Sequence, residues 1–190
     1  SMMVGTNVAA QFVAKRMPEN SVGVELGVWK GDSSHFFSEK TRRLHLVDSW
    51  SVEPYKELDS WDSYLNKYSQ ITGGNDVESF KKYYDKIYES VVERFSNNLN
   101  IVIHRNDTNK WFETFEEKVD WFYVDAAHDE KGCYDDLENS YNHLKKHGGG
   151  FLFGDDYGNK PGVVKAVDRF KEKYNLVMNV FHKNQYEMIV

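Results

Sequence analysis

The chain has 190 residues, 24 Lys plus Arg against 30 Asp plus Glu, and a formal net charge of −6. That size suits one domain spanning 1–190, and the acidity argues against nucleic acid as the main partner, because phosphate binding needs a basic face. The single cysteine, Cys133, excludes an intramolecular disulfide and a multi-thiolate zinc site.

No apolar run nears the roughly 18 residues of a membrane span, and no charged head followed by an apolar stretch marks a signal peptide. The expectation is a cytoplasmic protein with no membrane partner. Ser1 ahead of Met2 reads as a remnant of cloning.

Residues 3–16 read as an opening helix. The β-rich run 22–28 (VGVELGV) predicts a first strand, followed by a helix over 32–40 with Asp32 or Ser33 as its cap. Run 43–50 (RLHLVDSW) predicts a second strand. The stretch 51–75 breaks the alternation; it carries Tyr55, Trp61, Tyr64 and Tyr68 and ends at Gly73–Gly74. Val77, Phe80, Tyr84, Ile87, Val91 and Phe95 then recur at helical spacing and mark one apolar face.

A third strand is expected at 99–104, a fourth at 119–126 and a fifth at 150–154. Between the last two, Cys133, Leu137, Tyr141 and Leu144 form a helical stripe that stops at His147 and the following glycines. Val163, Val167, Phe170 and Tyr174 form another stripe, with Pro161 near its start. Runs 175–182 and 185–190 are separated too briefly for a crossover, so they should make an antiparallel hairpin. Alternating strands and helices imply an α/β fold, a mostly parallel sheet with helices on both faces.

Two patterns carry chemistry. Glu25-Leu26-Gly27-Val28-Trp29-Lys30-Gly31 reads as strand, tight turn and helix start. It is not the dinucleotide fingerprint GxGxxG, and an acid precedes its first glycine. Pyrophosphate would be repelled by Glu25, whereas an ammonium or sulfonium would be attracted. Asp48 ends the second strand, where an acid commonly binds ribose hydroxyls and can equally be a solvated carboxylate. Together these features favour a nucleoside site.

ELGVWKG, LVDSW, DWFYVDAAH and HGGGFLFGDDY, in that order, resemble the class I S-adenosylmethionine-dependent methyltransferases. The resemblance covers about 22–190. It implies a Rossmann-like seven-stranded sheet in the order 3-2-1-4-5-7-6 with the last strand antiparallel. It also implies that Glu25, Gly27 and Gly31 border the methionine part of the cofactor, that Asp48 holds the ribose with Ser49 and Trp50 beside the adenosine, and that Asn106 and Asp107 lie near the adenine.

Asp125 ends the fourth strand and Asp155-Asp156 end the fifth. Three carboxylates at one mouth repel unless a proton or a cation intervenes, and all-oxygen ligation suits Mg²⁺ or Ca²⁺. Each acid taken alone also fits a pocket wall or a helix cap. The pattern is similar to that of metal-dependent small-molecule O-methyltransferases of the macrocin O-methyltransferase and cephalosporin-hydroxylase-like group. That resemblance implies Asp125, Asp155 and Asp156 as metal ligands and His128 at the acceptor. The group's DGxH is DAAH here, with Ala126 in place of glycine. The other histidines read as structural.

The expected chemistry is metal-assisted O-methylation. A divalent ion acidifies an acceptor hydroxyl, His128 or Asp125 takes its proton, and the aromatics of 51–75 act as a lid that holds a sugar or another diol. Those aromatics fit a plain helix cover equally well. A homodimer is the default oligomer. The competing readings are a non-catalytic nucleoside-binding protein of the same fold, a metal-dependent hydrolase, which leaves Asp48 unexplained, and a nicotinamide oxidoreductase, which lacks its fingerprint.

Overall fold

A computed structural model describes residues 6–56, 58 and 60–190. Helix α1 (Thr6–Ala14) opens the chain, and the part of the expected helix at 3–5 lies outside the described residues. It is followed by β1 (Ser21–Leu26), α2 (Asp32–Ser38) and β2 (Thr41–Asp48). A short 3-10 turn (Glu53–Tyr55) leads into α3 (Trp61–Thr72), α4 (Val77–Arg94) and β3 (Ile101–Arg105). Then come α5 (Thr108–Thr114), β4 (Trp121–Val124), α6 (Glu130–Lys146) and β5 (Phe151–Gly154). Helix α7 (Pro161–Lys173) precedes β6 (Met178–Phe181) and β7 (Gln185–Ile189).

The seven strands form one sheet in the order β3-β2-β1-β4-β5-β7-β6. Strands β1 to β5 pair in parallel, while β7 runs antiparallel to both β5 and β6. This is the order implied by the resemblance.

Alternation along β1 and β4 divides the core into two layers. Val22, Val24, Leu26, Phe122 and Val124 face one side, where they pack with Leu137, Val167 and Phe170 from α6 and α7. Trp121 and Tyr123 face the other, where they pack with Val13, Phe37 and Val91 from α1, α2 and α4. Among the described residues, no helix is long and apolar enough to cross a membrane.

One local reading is corrected and two elements are added. No side chain caps α2; Gly31 occupies its N-cap in a left-handed backbone, so neither Asp32 nor Ser33 serves. The stretch 51–75 is largely helical, because Trp61, Tyr64 and Tyr68 recur at helical spacing. Helix α5 was not expected at all. It is short, and Asp107 starts it by accepting the Lys110 N–H.

Candidate active site

The C-terminal ends of β1, β2, β4 and β5 share one edge, and the backbone stitches them together. Gly27 N–H donates to Val47 O and Asp125 N–H to Leu26 O, each at 2.9 Å. At φ +91°, Gly27 lies so close to β4 that a Cβ would stand 2.3 Å from Asp125 O. The glycine here therefore serves close approach between two strands as well as the turn itself. A small cleft runs from this turn to Asp125, with Glu25 and Ser33 among its walls.

Glu25 points into the base of that cleft and is buried. Ser34 Oγ donates to its carboxyl at 2.6 Å. Burial pushes its pKa up to about 8, the Ser34 bond pulls it back, and Asp125 adds repulsion. At neutral pH the acid therefore holds a proton. Ser34, its partner, went unnoticed in the sequence because a small polar residue on the first turn of a helix carries no pattern.

Both oxygens of the Asp48 carboxylate accept backbone N–H groups. Its Oδ2 accepts Val28 N–H and Trp29 N–H, each at 2.9 Å, and its Oδ1 accepts Trp50 N–H at 2.8 Å. The carboxylate thus draws the glycine turn and the β2 end together. Ser49 lies beside it, half-buried. Trp50 is buried against Tyr88 and its indole donates to Trp29 O at 2.8 Å, so the ring belongs to the scaffold. Asn106 N–H donates to Asp48 O at 2.9 Å, and Asp107 is the N-cap of α5.

On the other side of the mouth, Asp125, His128 and Asp156 offer ligand atoms that all lie within 4.8 Å of one another. His128 Nε2 stands 3.1 Å from Asp156 Oδ2 and 3.7 Å from Asp125 Oδ1. Burial works to lower the His128 pKa, but hydrogen bonds and charge from Asp125 and Asp156 outweigh it and push it up to about 9. Burial likewise opposes ionisation of Asp156, yet His128 holds its pKa below the usual carboxylate value.

Asp155 stands outside this group. Its Oδ1 accepts the Asp156 N–H at 2.7 Å, and burial followed by repulsion from Asp125 and Asp156 raises its pKa to about 6. Asp156 itself has φ +67°. Trp29 and Trp50 share that left-handed backbone, with φ +53° and +43°. Strained residues thus follow three of the strand ends that build the mouth.

The aromatic side chains of the 51–75 segment pack on one another and on α4. Tyr55 and Tyr64 stack with centroids 4.6 Å apart, and Tyr64 rests on Tyr68 and Phe80. The Tyr64 and Tyr84 hydroxyls meet at 2.6 Å, which fixes α3 to α4. The Tyr55 phenol is raised first by burial, then by Tyr64, Asp48, Tyr68 and Asp129. It therefore senses acids from both the β2 and the β4 sides. Within the cluster, Tyr64 links Tyr55 to α4.

A family model described as Methyltransferase domain matches residues 24–157. No curated protein sequence matches the chain. Among solved structures, a candidate methyltransferase from Streptococcus mutans in complex with SAH superposes with TM-score 0.60 at 10% identity, over 100% of this chain and 99% of that one. An O-methyltransferase from Bacillus cereus in complex with SAH gives TM-score 0.58 at 14% identity, over 100% and 83%. An rRNA methylase from Streptococcus thermophilus gives 0.54 at 10% identity, over 100% and 96%. At such identities the likeness carries the fold alone.

Proposed function

The chain belongs to the methyltransferase domain family, and from that premise we propose that it transfers a methyl group from S-adenosylmethionine to a hydroxyl of a small acceptor, such as a sugar or another diol. The observation that carries this reading is the adjacency of two differently built sites at one mouth. A glycine turn with a buried acid adjoins, through Asp125, a cluster of carboxylates and an imidazole. The SAH held by the Streptococcus mutans and Bacillus cereus proteins supports the choice of cofactor.

On this reading Glu25 faces the cationic methionine end of the cofactor. A cation there lowers the Glu25 pKa, so binding carries a proton-release step. Gly27 and Gly31 keep the turn free of side chains. Asp48 shares its carboxylate between the backbone and the ribose, and the loop of Asn106 and Asp107 borders the adenine.

The donor set of Asp125, His128 and Asp156 fits a divalent ion, and Asp155 adjoins it in the chain, its Oδ1 taken by the Asp156 N–H. The imidazole widens the choice beyond Mg²⁺ and Ca²⁺ to transition metals. The chemistry supplied at such a site is Lewis acidity, which lowers the pKa of a hydroxyl. His128 and Asp125 are the groups at this mouth that would take the acceptor's proton. Tyr55 packs on the acceptor, and the closed lid excludes water from the in-line transfer.

The test is mass spectrometry of a panel of diols incubated with protein and isotopically labelled S-adenosylmethionine, with Mg²⁺, with Mn²⁺ and with a chelator. Labelled methyl ether that vanishes with the chelator supports the reading. Cofactor binding without transfer to any acceptor leaves a non-catalytic nucleoside-binding protein instead.

A further inference from the structure

Trp50 adopts a left-handed backbone, at φ +43°, that a bulky residue keeps only when its surroundings hold it. Its N–H is held by Asp48 Oδ1 and its indole N–H by Trp29 O. Its carbonyl is held by Arg105, whose Nη2 donates at 3.0 Å. Arg105 Nε donates to the preceding carbonyl, Ser49 O, at 3.4 Å. The guanidinium is steadied from behind by an ion pair with Asp85 and by the Tyr88 ring, 4.6 Å away.

Asp48 and Arg105 are partners in the β2–β3 register. The carboxylate collects backbone N–H groups and the guanidinium collects backbone carbonyls, on the same short loop. Two opposite charges at facing positions thus satisfy both polarities of one strained segment. The forked donor geometry matters, because a lysine brings equal charge but only a point donor.

We infer that Arg105 is a positioning residue for the nucleoside half of the cofactor site. It acts through the loop that carries Asp48 and Ser49, whose carbonyls at 49 and 50 it holds. This rests on the cofactor reading above.

Two measurements test it. In ligand-free protein, Arg105→Met should speed amide exchange at 49–51 at least about tenfold while core strands stay protected. Asp85→Asn, which keeps both carbonyl bonds, should exchange like wild type. In calorimetric titration with SAH, Arg105→Met should weaken binding about tenfold. Arg105→Lys, which keeps the ion pair, should also weaken it, by about threefold or more. Turnover at saturating cofactor should stay within about twofold, so the loss falls on KM.

Unchanged exchange at 49–51 in Arg105→Met overturns the inference, as does an affinity loss in Asp85→Asn equal to that in Arg105→Met. If Arg105→Met does not fold, Arg105→Lys decides, and wild-type affinity in that variant overturns the inference. Wild-type protein that fails to bind SAH overturns the cofactor reading and this role with it, while the exchange data still report whether the loop is clamped.

Discussion

The two sides of the mouth are built from the same residue type in the same place, acids at or just past the C-terminal ends of parallel strands, yet they reach opposite electrical states. On the β1–β2 side, Glu25 is buried and protonated against Ser34, and Asp48 spends its lone pairs on backbone N–H groups. On the β4–β5 side, Asp125 and Asp156 gather around His128, whose pKa they push up to about 9, and Asp155 stands beside them on the Asp156 N–H. One set of acids builds a loop. The other gathers around an imidazole. Position at a strand end therefore does not assign a carboxylate its role; its hydrogen-bond partners do.

The largest effect expected from breaking this contrast is at Asp48. Asp48→Ala strands the N–H groups of Val28, Trp29 and Trp50 and should cost roughly 4 kcal/mol of unfolding free energy, measured by urea denaturation. No single acid on the β4–β5 side should cost as much, because relief of repulsion offsets the loss there.

Glu25 sharpens the contrast through pH. The folded chain keeps the Glu25 proton up to about 8, whereas the unfolded chain releases it near 4.5. The unfolded state binds fewer protons across that window, so stability falls as pH rises from about 4.5 to about 8. Glu25→Gln removes that loss. It should match wild type at pH 4 and exceed it at pH 8 by on the order of 4 kcal/mol. The same variant should bind SAH less tightly at pH 8, since the anion is lost. Equal melting temperatures at both pH values would show that Glu25 is ionised in the folded chain.

The β4–β5 side should respond instead to metal. Mn²⁺ or Mg²⁺ at 100 times its Kd should raise wild-type stability by about 2.7 kcal/mol, read by thermal melting. Asp125→Asn and Asp156→Asn should abolish the shift, and Asp155→Asn should reduce it. Proton and metal compete for the same groups, so the shift should shrink on acidification. A shift that survives in Asp156→Asn would remove the cluster as the metal site.

How much of this was legible in the sequence differs between the same two regions. Strands were readable because runs such as VGVEL and WFYV are buried on both faces and so nearly continuously apolar. Their spatial order came from the resemblance, since periodicity says nothing about which strands are neighbours. Glu25, Asp48 and Asp125 were found because strand ends are recognisable. Their partners Ser34 and Arg105 were not, because a hydrogen bond between residues 55 apart, as from Arg105 to Trp50, leaves no local pattern. Helix α5 was missed because it is only seven residues long, too short to display a period, although Asp107 before Thr108 was an available start signal.

The smallest effect expected concerns the aromatics of 51–75, proposed above as the acceptor lid. Tyr55 senses Asp48 from one side and Asp129 from the other, but it is held there by Tyr64, whose hydroxyl meets that of Tyr84 at 2.6 Å. Tyr64→Phe keeps the stack and removes one hydrogen bond, so it should cost about 1 kcal/mol. The cost should appear first as faster amide exchange in α3 and only weakly as global instability, because α3 touches the rest of the fold chiefly through α4. SAH affinity should hardly change, since the proposed cofactor residues belong to β1, β2 and the loops after β1, β2 and β3, whereas Tyr64 stacks and bonds with Tyr55, Tyr68, Phe80 and Tyr84. Acceptor KM should rise, because Tyr55 loses its support. If SAH affinity falls as much as acceptor affinity, the lid and the β1–β2 loop are one cooperative unit, and the division of the mouth into a rigid cofactor side and a responsive acceptor side does not hold.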